Sequence, residues 1–330
     1  MPSFKVYKGS DEGIQEATTT RPDLVDDQVL VRITASGLCG TDLHFKTADI
    51  VLGHEGMGTV EEIGTKVKSL RVGDRVGWGF QTNCCGLCVK CLTGNEEYCP
   101  DREMFGQQNL DQGSFAEAAV WKESFLFKVP DIISDADAAP LMCGGATVWS
   151  CLRRHGLSST STVGVVGVGG LGHLAIQFAS KMAMKVVVLS SNPDKKEEAL
   201  RLGASKFVTL DQDKPDIGES KLDALLISSS VAIDWDNYLP LFNPQAVIFP
   251  LTLHYGDLRI PQLPFVVAGL RIQGVVMASR AEIKLMLEFA ATWNIRPITV
   301  HFPLTKEGIE ESMRLLDDGK MRYRGVLVAQ

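Results

Sequence analysis

Apolar and polar residues alternate in the first part of the chain, most clearly over residues 28–35. The apolar members of that stretch are Val29, Val31, Ile33 and Ala35. This period of two predicts a strand with one buried face. Short apolar runs then recur between glycines, at 57–63 and 74–80. Such punctuation predicts a compact, turn-rich β domain over residues 1 to about 148.

From Thr162 the pattern changes to solid apolar runs separated by segments of helical period. Such runs predict strands that are buried on both faces. The predicted strands are Thr162–Val166, Val186–Leu189, Lys206–Leu210, Ala224–Ile227, Ala246–Phe249 and Ile272–Met277. Apolar residues at helical spacing predict a helix over 171–182, and a second helix over about 195–202 ends at Gly203. The alternation of strands and helices indicates a doubly wound α/β domain.

Two more helices and a final strand are predicted near the C-terminus. The first helix, Arg280–Trp293, carries an apolar stripe on one face. The second, Thr305–Asp318, begins with a capping threonine and ends at Gly319. The strand Gly325–Ala329 closes the chain, and we expect it to return to the first domain.

Composition narrows the class of protein. A length of 330 residues favours two domains, and 45% hydrophobic with 22% charged residues is typical of a globular protein. A net charge of −7 argues against nucleic acid as the partner, since phosphates require Lys and Arg. The N-terminal residues lack the apolar stretch of a secretory signal. The sequence contains no run of eighteen apolar residues, so we expect no membrane-spanning helix. Eight cysteines then favour a reducing compartment, the cytoplasm.

Four of these cysteines are clustered as Cys85-x2-Cys88-x2-Cys91-x7-Cys99. At this spacing one loop can present four sulfurs at the corners of a tetrahedron, which is the geometry of a closed zinc site. An iron–sulfur cluster is the alternative. The ferredoxin pattern, however, places its fourth cysteine after three residues and not after seven.

A glycine-rich loop, Gly167-Val168-Gly169-Gly170-Leu171-Gly172, follows a predicted buried strand and opens a helix. The first glycine permits a tight turn, the second lets the backbone approach a pyrophosphate, and the third lets the helix pack on the strand. The helix N-terminus favours the anion. The loop therefore predicts a dinucleotide site, with an ordinary glycine-rich turn as the alternative.

The end of the second strand of this domain bears on the choice of cofactor. An acidic residue there would bind the ribose 2′-hydroxyl of NAD. The sequence has Ser190-Ser191-Asn192-Pro193-Asp194-Lys195 instead. Hydroxyls and a lysine suit a 2′-phosphate and favour NADP. Asp194 is an acid close to this position and argues against NADP, unless it caps the following helix. The alternative for Lys195 is a solvated helix residue.

Cys39, His54 and Cys143 are separated in sequence but lie in glycine-rich surroundings, in Gly37-Leu38-Cys39-Gly40, Gly53-His54-Glu55-Gly56 and Cys143-Gly144-Gly145. Two thiolates and an imidazole would make a three-ligand zinc site with one open position. Taken singly, each residue has a structural alternative, because buried cysteines commonly fill cores.

Together these features resemble the zinc-containing medium-chain alcohol dehydrogenases, and most closely the NADP-dependent, cinnamyl alcohol dehydrogenase-like branch with its fungal members. The matching motifs are Cys39-Gly-Thr-Asp-Leu-His44, Gly53-His-Glu-Gly56, the four-cysteine lobe, Gly73-Asp-Arg-Val-Gly77, the Gly167 loop, Ser190 to Lys195, and Gly319-Lys-Met-Arg-Tyr-Arg324. The resemblance implies a GroES-like catalytic domain (1–148 and 283–330) with a zinc lobe at about 84–100. It also implies a Rossmann cofactor domain at 149–282.

The resemblance implies a role for each matching residue. Cys39, His54 and Cys143 would hold a catalytic zinc, Glu55 would be able to approach it, and Asp42 would orient His54. The four-cysteine lobe would hold a structural zinc, which gives two zinc ions per chain; Cys84 has no implied role. Thr147 and Arg324 fall at cofactor-contact positions.

Zinc would polarise a carbonyl while NADPH supplies hydride. Thr41 and His44 would relay the proton, which favours aldehyde/alcohol chemistry. Only eight residues separate His44 from Gly53. Because this loop is short for the family, we expect an open pocket and a bulky or aromatic aldehyde as substrate.

Other functions stay open at this point. On the same scaffold, the protein could reduce an imine or a conjugated C=C bond. A zinc-independent quinone or enoyl reductase lacks the ligands found here. A nonenzymatic zinc-binding module is opposed by the negative charge and by the attached nucleotide domain. The resemblance also implies a homo-oligomer, with a dimer favoured, paired through strands at about 246–249 and 272–277.

Overall fold

The computed structural model describes residues 1–210, 215–229, 233–252 and 256–330. Tertiary contacts group the chain into two units. Unit 1 comprises Met1–Ala146 and Met277–Gln330, and unit 2 comprises Thr147–Val276. Among the described residues, no helix combines the length and the apolar character that a bilayer crossing requires.

The elements are numbered along the chain. The strands are β1 (Ser3–Lys8), β2 (Gln15–Thr20), β3 (Gln28–Leu38), β4 (Glu55–Ile63), β5 (Arg75–Trp78), β6 (Gln81–Asn83), β7 (Glu103–Met104), β8 (Ala118–Lys122), β9 (Phe127–Lys128), β10 (Thr162–Val166), β11 (Lys185–Ser190), β12 (Lys206–Thr209), β13 (Leu222–Ile227), β14 (Phe242–Pro250), β15 (Arg271–Ile272), β16 (Thr299–Pro303) and β17 (Arg324–Val328). The α-helices are α1 (Gly40–His44), α2 (Val89–Leu92), α3 (Asp135–Pro140), α4 (Ala146–Arg154), α5 (Gly172–Lys181), α6 (Lys196–Arg201), α7 (Trp235–Tyr238), α8 (Gln262–Ala268), α9 (Arg280–Thr292) and α10 (Lys306–Asp317).

Unit 1 is organised around β3. This strand pairs antiparallel with β4, β8 and β17 in a seven-stranded sheet. Six of the strands follow the order β16-β17-β3-β4-β5-β9, and β8 joins this path by pairing with β3. The alternation that predicts β3 is confirmed, since its four apolar positions, from Val29 to Ala35, are at most 2% exposed. The strand continues to Leu38, and its far end carries the residues that precede Cys39.

The C-terminal part of unit 1 follows the sequence pattern. Helix α9 buries the predicted apolar stripe, including Ile283 and Met286. Helix α10 begins after Thr305, whose side chain accepts a hydrogen bond from the N–H of Gly308. The predicted return of the last strand is confirmed, because β17 pairs with β3 as well as with β16.

Unit 2 contains a parallel sheet with the strand order β12-β11-β10-β13-β14-β15. The first strand of the unit, β10, is central. The next two, β11 and β12, lie on one side of it, and β13, β14 and β15 lie on the other. This is the doubly wound order of dinucleotide-binding domains. All five residues of β10 are buried, which explains why its sequence is apolar without alternation.

The prediction of a strand at Ile272–Met277 is wrong for all but its first residue, because β15 ends at Ile272. β15 is the last strand of its sheet and pairs only with β14, through Val247↔Arg271 and Ile248↔Ile272. Within the described residues, no second strand flanks it to extend the ladder. The sequence pattern did not single out β1 and β2, which mix polar and apolar residues, or β8, a short run of four apolar residues and a lysine.

Candidate zinc and cofactor sites

Three segments of unit 1 bring Cys39, His54 and Cys143 together. Cys39 immediately precedes α1, His54 immediately precedes β4, and Cys143 lies in a π-helical turn at Leu141–Gly145. One ligand atom from each of these residues, with one from Glu55, lies within 4.8 Å of all the others. Such a cluster is compact enough for all of its donors to face one ion.

Sheet register and close glycine packing produce this convergence. Because Gly37 of β3 is opposite Glu55 of β4, Cys39 and His54 follow and precede adjacent strand ends. Gly53 has φ +87°, a conformation that favours glycine, and it redirects the chain just before His54. A Cβ atom on Gly79 would lie 2.6 Å from the carbonyl oxygen of Met142, so this glycine lets the π-helical turn approach.

The ring of His54 is held by the contact expected with Asp42. Its Nδ1 lies 3.0 Å from Asp42 Oδ1, and both side chains are fully buried. Since a carboxylate accepts, Nδ1 donates, and Nε2 is the ring nitrogen left to bind a metal ion. That Nε2 atom is buried without a hydrogen-bond partner among the described residues. An orphaned imidazole nitrogen beside two thiols is the donor set that a zinc ion fits.

The electrostatics of this cluster favour a thiolate at Cys39. A hydrogen bond from Cys143 lowers the pKa of Cys39 well below its usual value, and His54 acts in the same direction against burial. The same contact and burial raise the pKa of Cys143. Burial lowers the pKa of His54, but Asp42 and Cys39 outweigh it and raise the pKa well above its usual value. A zinc ion bound at Nε2 would replace the second proton that this surplus of negative charge favours.

Glu55 is fully buried and forms an ion pair with Arg324, which is 5% exposed. Both of its carboxylate oxygens accept from Nη2 of Arg324. Burial raises the pKa of Glu55 to about 7, although the charge of Arg324 opposes this shift. Arg324 thus lies in unit 1 against a candidate metal ligand, and its contact with a cofactor stays a prediction.

The proposed relay residues lie in α1. The Oγ1 atom of Thr41 is 3.7 Å from Cys39 Sγ, and His44 is exposed at the end of the helix. Two aromatic rings, which the sequence did not reveal as neighbours, pack against His54. The ring centroids of Phe80 and Phe105 are 5.3 and 5.0 Å from that of His54.

The four cysteines of the lobe form a second cluster, and all of them are free thiols. The S···S distances are 3.5 Å for Cys85–Cys99, 3.6 Å for Cys88–Cys91, 3.7 Å for Cys88–Cys99 and 3.9 Å for Cys85–Cys91. A zinc ion bound at about 2.3 Å holds four sulfurs about 3.8 Å apart. The geometry therefore fits one zinc ion better than a larger iron–sulfur cluster.

Backbone amides and a buried acid support the lobe. The N–H groups of Leu87 and Cys88 lower the pKa of Cys85 to about 7, whereas burial raises the pKa of Cys91 and Cys99. Glu96, in the turn before Cys99, accepts from the backbone N–H and the Nε of Arg280 at 2.7 and 3.0 Å. This pair ties the lobe to the start of α9.

The glycine-rich loop of unit 2 has the geometry that its sequence predicts. Gly167 has φ +86°, and a Cβ atom on Gly172 would lie 2.0 Å from the carbonyl oxygen of Gly167, so strand and helix meet closely there. A Cβ atom on Gly169 would meet nothing within 4 Å, which leaves room for a ligand to approach the backbone. Ser228, which the sequence did not single out, shares its one hydroxyl hydrogen between the carbonyl oxygens of Val166 and Gly167.

The residues predicted to select the cofactor follow β11. Ser190 is buried, and its hydroxyl accepts from the N–H of Asn192 at 3.2 Å. Asn192 Oδ1 in turn accepts from the N–H of Asp194, so Asn192 caps the short turn that precedes α6. The expected cap at Asp194 is therefore wrong, because Asp194 lies inside this turn and Lys195 occupies the N-cap position of α6. Ser191 is exposed and Lys195 is half-buried. Thr147, also in unit 2, is 7% exposed and donates to the carbonyl oxygen of Val276 at 3.5 Å.

The fold and the two clusters define a dehydrogenase that uses zinc and a nicotinamide cofactor. Comparison with known proteins agrees. The model of the alcohol dehydrogenase GroES-like domain matches residues 25–131, and that of the zinc-binding dehydrogenases matches residues 170–292. The chain belongs to the zinc-containing medium-chain alcohol dehydrogenases, in their cinnamyl alcohol dehydrogenase-like branch.

Individual relatives cover nearly the whole chain. An alcohol dehydrogenase from Geobacillus stearothermophilus is 33% identical over 93% of this chain and 93% of its own length. The NADP-dependent alcohol dehydrogenase C 1 of Mycolicibacterium smegmatis is 32% identical over 96% of this chain and 94% of its own. A solved cinnamyl alcohol dehydrogenase from Sorghum bicolor superposes with a TM-score of 0.90 at 29% identity, covering 99% of this chain and 98% of that one.

Proposed function

We propose that the protein is a zinc-dependent, NADP(H)-using alcohol dehydrogenase that interconverts an aldehyde and its alcohol. Cys39, His54 and Cys143 hold the catalytic zinc, and the four-cysteine lobe holds a structural one. The observation that carries the proposal is the buried Nε2 of His54, which has no hydrogen-bond partner in the described part of the chain, in a residue clustered within 4.8 Å of two cysteine sulfurs. A buried acceptor without a partner is costly, and a metal ion would satisfy it.

When bound, zinc supplies a Lewis acid and NADPH supplies hydride. The chain's own residues prepare the site. Asp42 fixes the tautomer and orientation of His54 by accepting from Nδ1. Thr41 presents a hydroxyl beside Cys39, and the exposed His44 exchanges protons with solvent. The pair Glu55–Arg324 supplies a neutralised carboxylate beside the ligand cluster.

The preference for NADP(H) is supported by the end of β11. Ser190, Ser191 and Asn192 place hydroxyl and amide groups where NAD-specific domains place a carboxylate. Lys195 follows within one turn. A relative of similar length is named as NADP-dependent.

An aromatic or bulky aldehyde is the proposed substrate class. Phe80, which is half-buried, places an aromatic ring against the ligand His54, and such a ring packs well on a flat, conjugated substrate. Phe105 supports His54 from the core, since it is 4% exposed. The short loop between His44 and Gly53 removes chain from the wall of the site. A solved relative named as a cinnamyl alcohol dehydrogenase agrees with this class.

A homodimer formed through unit 2 completes the proposal. β15 is an edge strand, and the neighbouring helix α8 exposes Leu263, Val266 and Val267 by 70–78%. An open sheet edge beside exposed apolar residues favours pairing with a second copy.

The test is a substrate panel run with zinc counting. Small aliphatic and aromatic aldehydes are offered to the purified protein with NADPH or NADH, and products are identified chemically. The variant Cys143→Ser is compared with Cys151→Ser, which alters a buried thiol of α4 outside both clusters. We expect NADPH-dependent reduction of aromatic aldehydes, lost in Cys143→Ser and kept in Cys151→Ser.

Each part of the proposal can fail separately. Carbonyl reduction that survives in Cys143→Ser at full rate would remove the metal site from the mechanism. A preference for NADH would overturn the cofactor assignment. A product saturated at a conjugated C=C bond, with its carbonyl intact, would identify a reductase of conjugated bonds instead.

A further inference from the structure

His173 lies in the first turn of α5, directly after the glycine-rich loop, and its side chain is fully buried. Its ring Nδ1 is 2.9 Å from the carbonyl oxygen of Gly169, and its backbone nitrogen is 3.1 Å from the same oxygen. A carbonyl oxygen can only accept, so Nδ1 carries the hydrogen and both nitrogens donate. One carbonyl of the loop is therefore held by two hydrogen bonds from one residue.

This double contact fixes the orientation of the peptide that joins Gly169 to Gly170. In a planar trans peptide the C=O and the following N–H point in opposite directions, and no cis peptide is present among the described residues. With the carbonyl of Gly169 turned into the helix, the N–H of Gly170 is turned out of it. Because both residues are glycines, no side chain of the peptide itself restricts its rotation, and the ring of His173 adds a second restraint to the backbone hydrogen bond.

The side chain of Ser228 contacts carbonyl oxygens at the start of the loop. Its hydroxyl is 3.1 Å from the carbonyl oxygen of Gly167 and 2.8 Å from that of Val166. The carbonyls of Gly167 and Gly169 are thus both held by side chains of unit 2, and the amides that follow them point to the opposite side. An anion binds at a helix N-terminus through such outward amides.

We infer that His173 is a positioning residue for the cofactor. Its ring donates to the carbonyl of Gly169 and thereby presents the N–H of Gly170 to the pyrophosphate of NADP(H). The inference rests on the proposed function, because it takes the loop to be the dinucleotide site. It adds that the imidazole contributes to cofactor affinity through a carbonyl of the loop, without touching the cofactor itself.

The test compares two substitutions that differ in one donor. His173→Leu fills a similar volume without a hydrogen-bond donor, and His173→Asn places an amide N–H near the position of Nδ1. Binding of NADPH is measured by fluorescence titration, and kcat and KM for NADPH by steady-state kinetics. Adenosine 2′-phosphate, which lacks the pyrophosphate, serves as a competing ligand. Thermal unfolding of each variant reports on the fold.

One hydrogen bond contributes a factor of roughly two to ten to an equilibrium constant. We therefore expect His173→Leu to raise Kd and KM for NADPH by about five- to tenfold, with kcat nearly unchanged. His173→Asn should restore NADPH binding to within about twofold of the parent protein. The inhibition constant of adenosine 2′-phosphate should be the same in all three proteins.

Several results would overturn the inference. Unchanged NADPH binding in His173→Leu is one, and equal weakening by His173→Leu and His173→Asn is another. A parallel loss of adenosine 2′-phosphate binding would reveal general damage to unit 2. If His173→Leu does not fold, His173→Ala is compared with His173→Asn in the same way. If the parent protein binds neither NADPH nor NADH, the proposed function itself fails.

Discussion

The carboxylate of Glu55 occupies the space in which a side chain on Gly37 would begin. A Cβ atom built on Gly37 would lie 1.9 Å from Glu55 Oε2. The two residues are opposite each other in the β3–β4 ladder, and the missing side chain makes room for the buried pair of Glu55 and Arg324. Gly37 of β3 is therefore required for the carboxylate of Glu55 to fit in β4.

The substitution Gly37→Ala should therefore displace Glu55 and disturb its ion pair. We expect a loss of about 1–3 kcal/mol in the free energy of unfolding, because overpacking and a strained buried pair both destabilise. Urea unfolding measures this. Gly40→Ala is the matched control, since a Cβ atom on Gly40 would meet nothing within 4 Å. Equal stability of the two variants would contradict the packing argument.

Asp42→Asn should weaken the catalytic metal site. The amide keeps an oxygen for His54 but loses the charge, and an N–H₂ group replaces the oxygen that accepts from the N–H of Cys39 at 2.9 Å. We expect zinc affinity at this site to fall by about 10- to 100-fold, as competition with a chelator will show. Asp49→Asn, an exposed acid of the following loop, should leave the affinity unchanged. Wild-type affinity in Asp42→Asn would exclude this role.

Cys99→Ser should reduce the zinc content by one ion per chain, because Cys99 Sγ lies 3.5–3.7 Å from two other lobe sulfurs. Loss of the ion should also expose the lobe to proteolysis, since structural zinc sites contribute directly to folding. Elemental analysis and limited digestion measure both effects. Cys84→Ser changes the neighbouring thiol outside the cluster and should keep the full zinc content. If Cys84→Ser lost zinc and Cys99→Ser did not, the assignment of the lobe ligands would be wrong.

Cofactor preference should respond to charge at the end of β11. Ser190→Asp introduces a carboxylate that repels a 2′-phosphate and accepts from a 2′-hydroxyl, so we expect the kcat/KM ratio of NADPH to NADH to fall at least about tenfold. Lys195→Ala should lower the ratio by a smaller factor, and Lys196→Ala, one position along, should not change it. Steady-state kinetics with both cofactors gives the ratio. An unchanged ratio in Ser190→Asp would place the 2′-phosphate elsewhere.

Glu123 provides a pH-dependent contribution to the stability of unit 1. Burial raises its pKa, but donors from Ser69, Lys68 and Leu70 outweigh burial and hold the pKa below the ordinary value of 4.5. A depressed carboxyl pKa stabilises the folded state above the unfolded pKa, and this stabilisation is lost as the pH falls through the folded pKa.

Glu123→Gln should therefore cost about 1 kcal/mol at neutral pH, a modest value because the site is partly exposed. The difference from the parent protein should shrink as the pH is lowered below 4.5, the ordinary pKa. Urea unfolding at several pH values, at equal zinc concentration, measures it. Glu12→Gln, at an exposed turn, should show no such trend. If the difference in unfolding free energy between the parent protein and Glu123→Gln grew as the pH fell, Glu123 would not have a lowered pKa in the folded state.

The sequence alone determined the features that are encoded locally. The alternation in β3, the solid apolar run of β10 and the glycine-rich loop each predict their structure because period and turn chemistry act over a few residues. The four-cysteine lobe belongs to the same class. Its ligands lie within fifteen positions, so the loop that carries them also fixes their spacing.

Only the tertiary structure decided which distant residues meet. Glu55 and Arg324 are 269 positions apart, and no local period links them. Their contact arises because β17 and β4 both pair with β3. The π-helical turn that carries Cys143, the fit of Glu55 over Gly37 and the rings around His54 likewise depend on close packing between segments. Such packing exists only in the assembled sheet, because the space open to each side chain is limited by residues that are distant in the sequence.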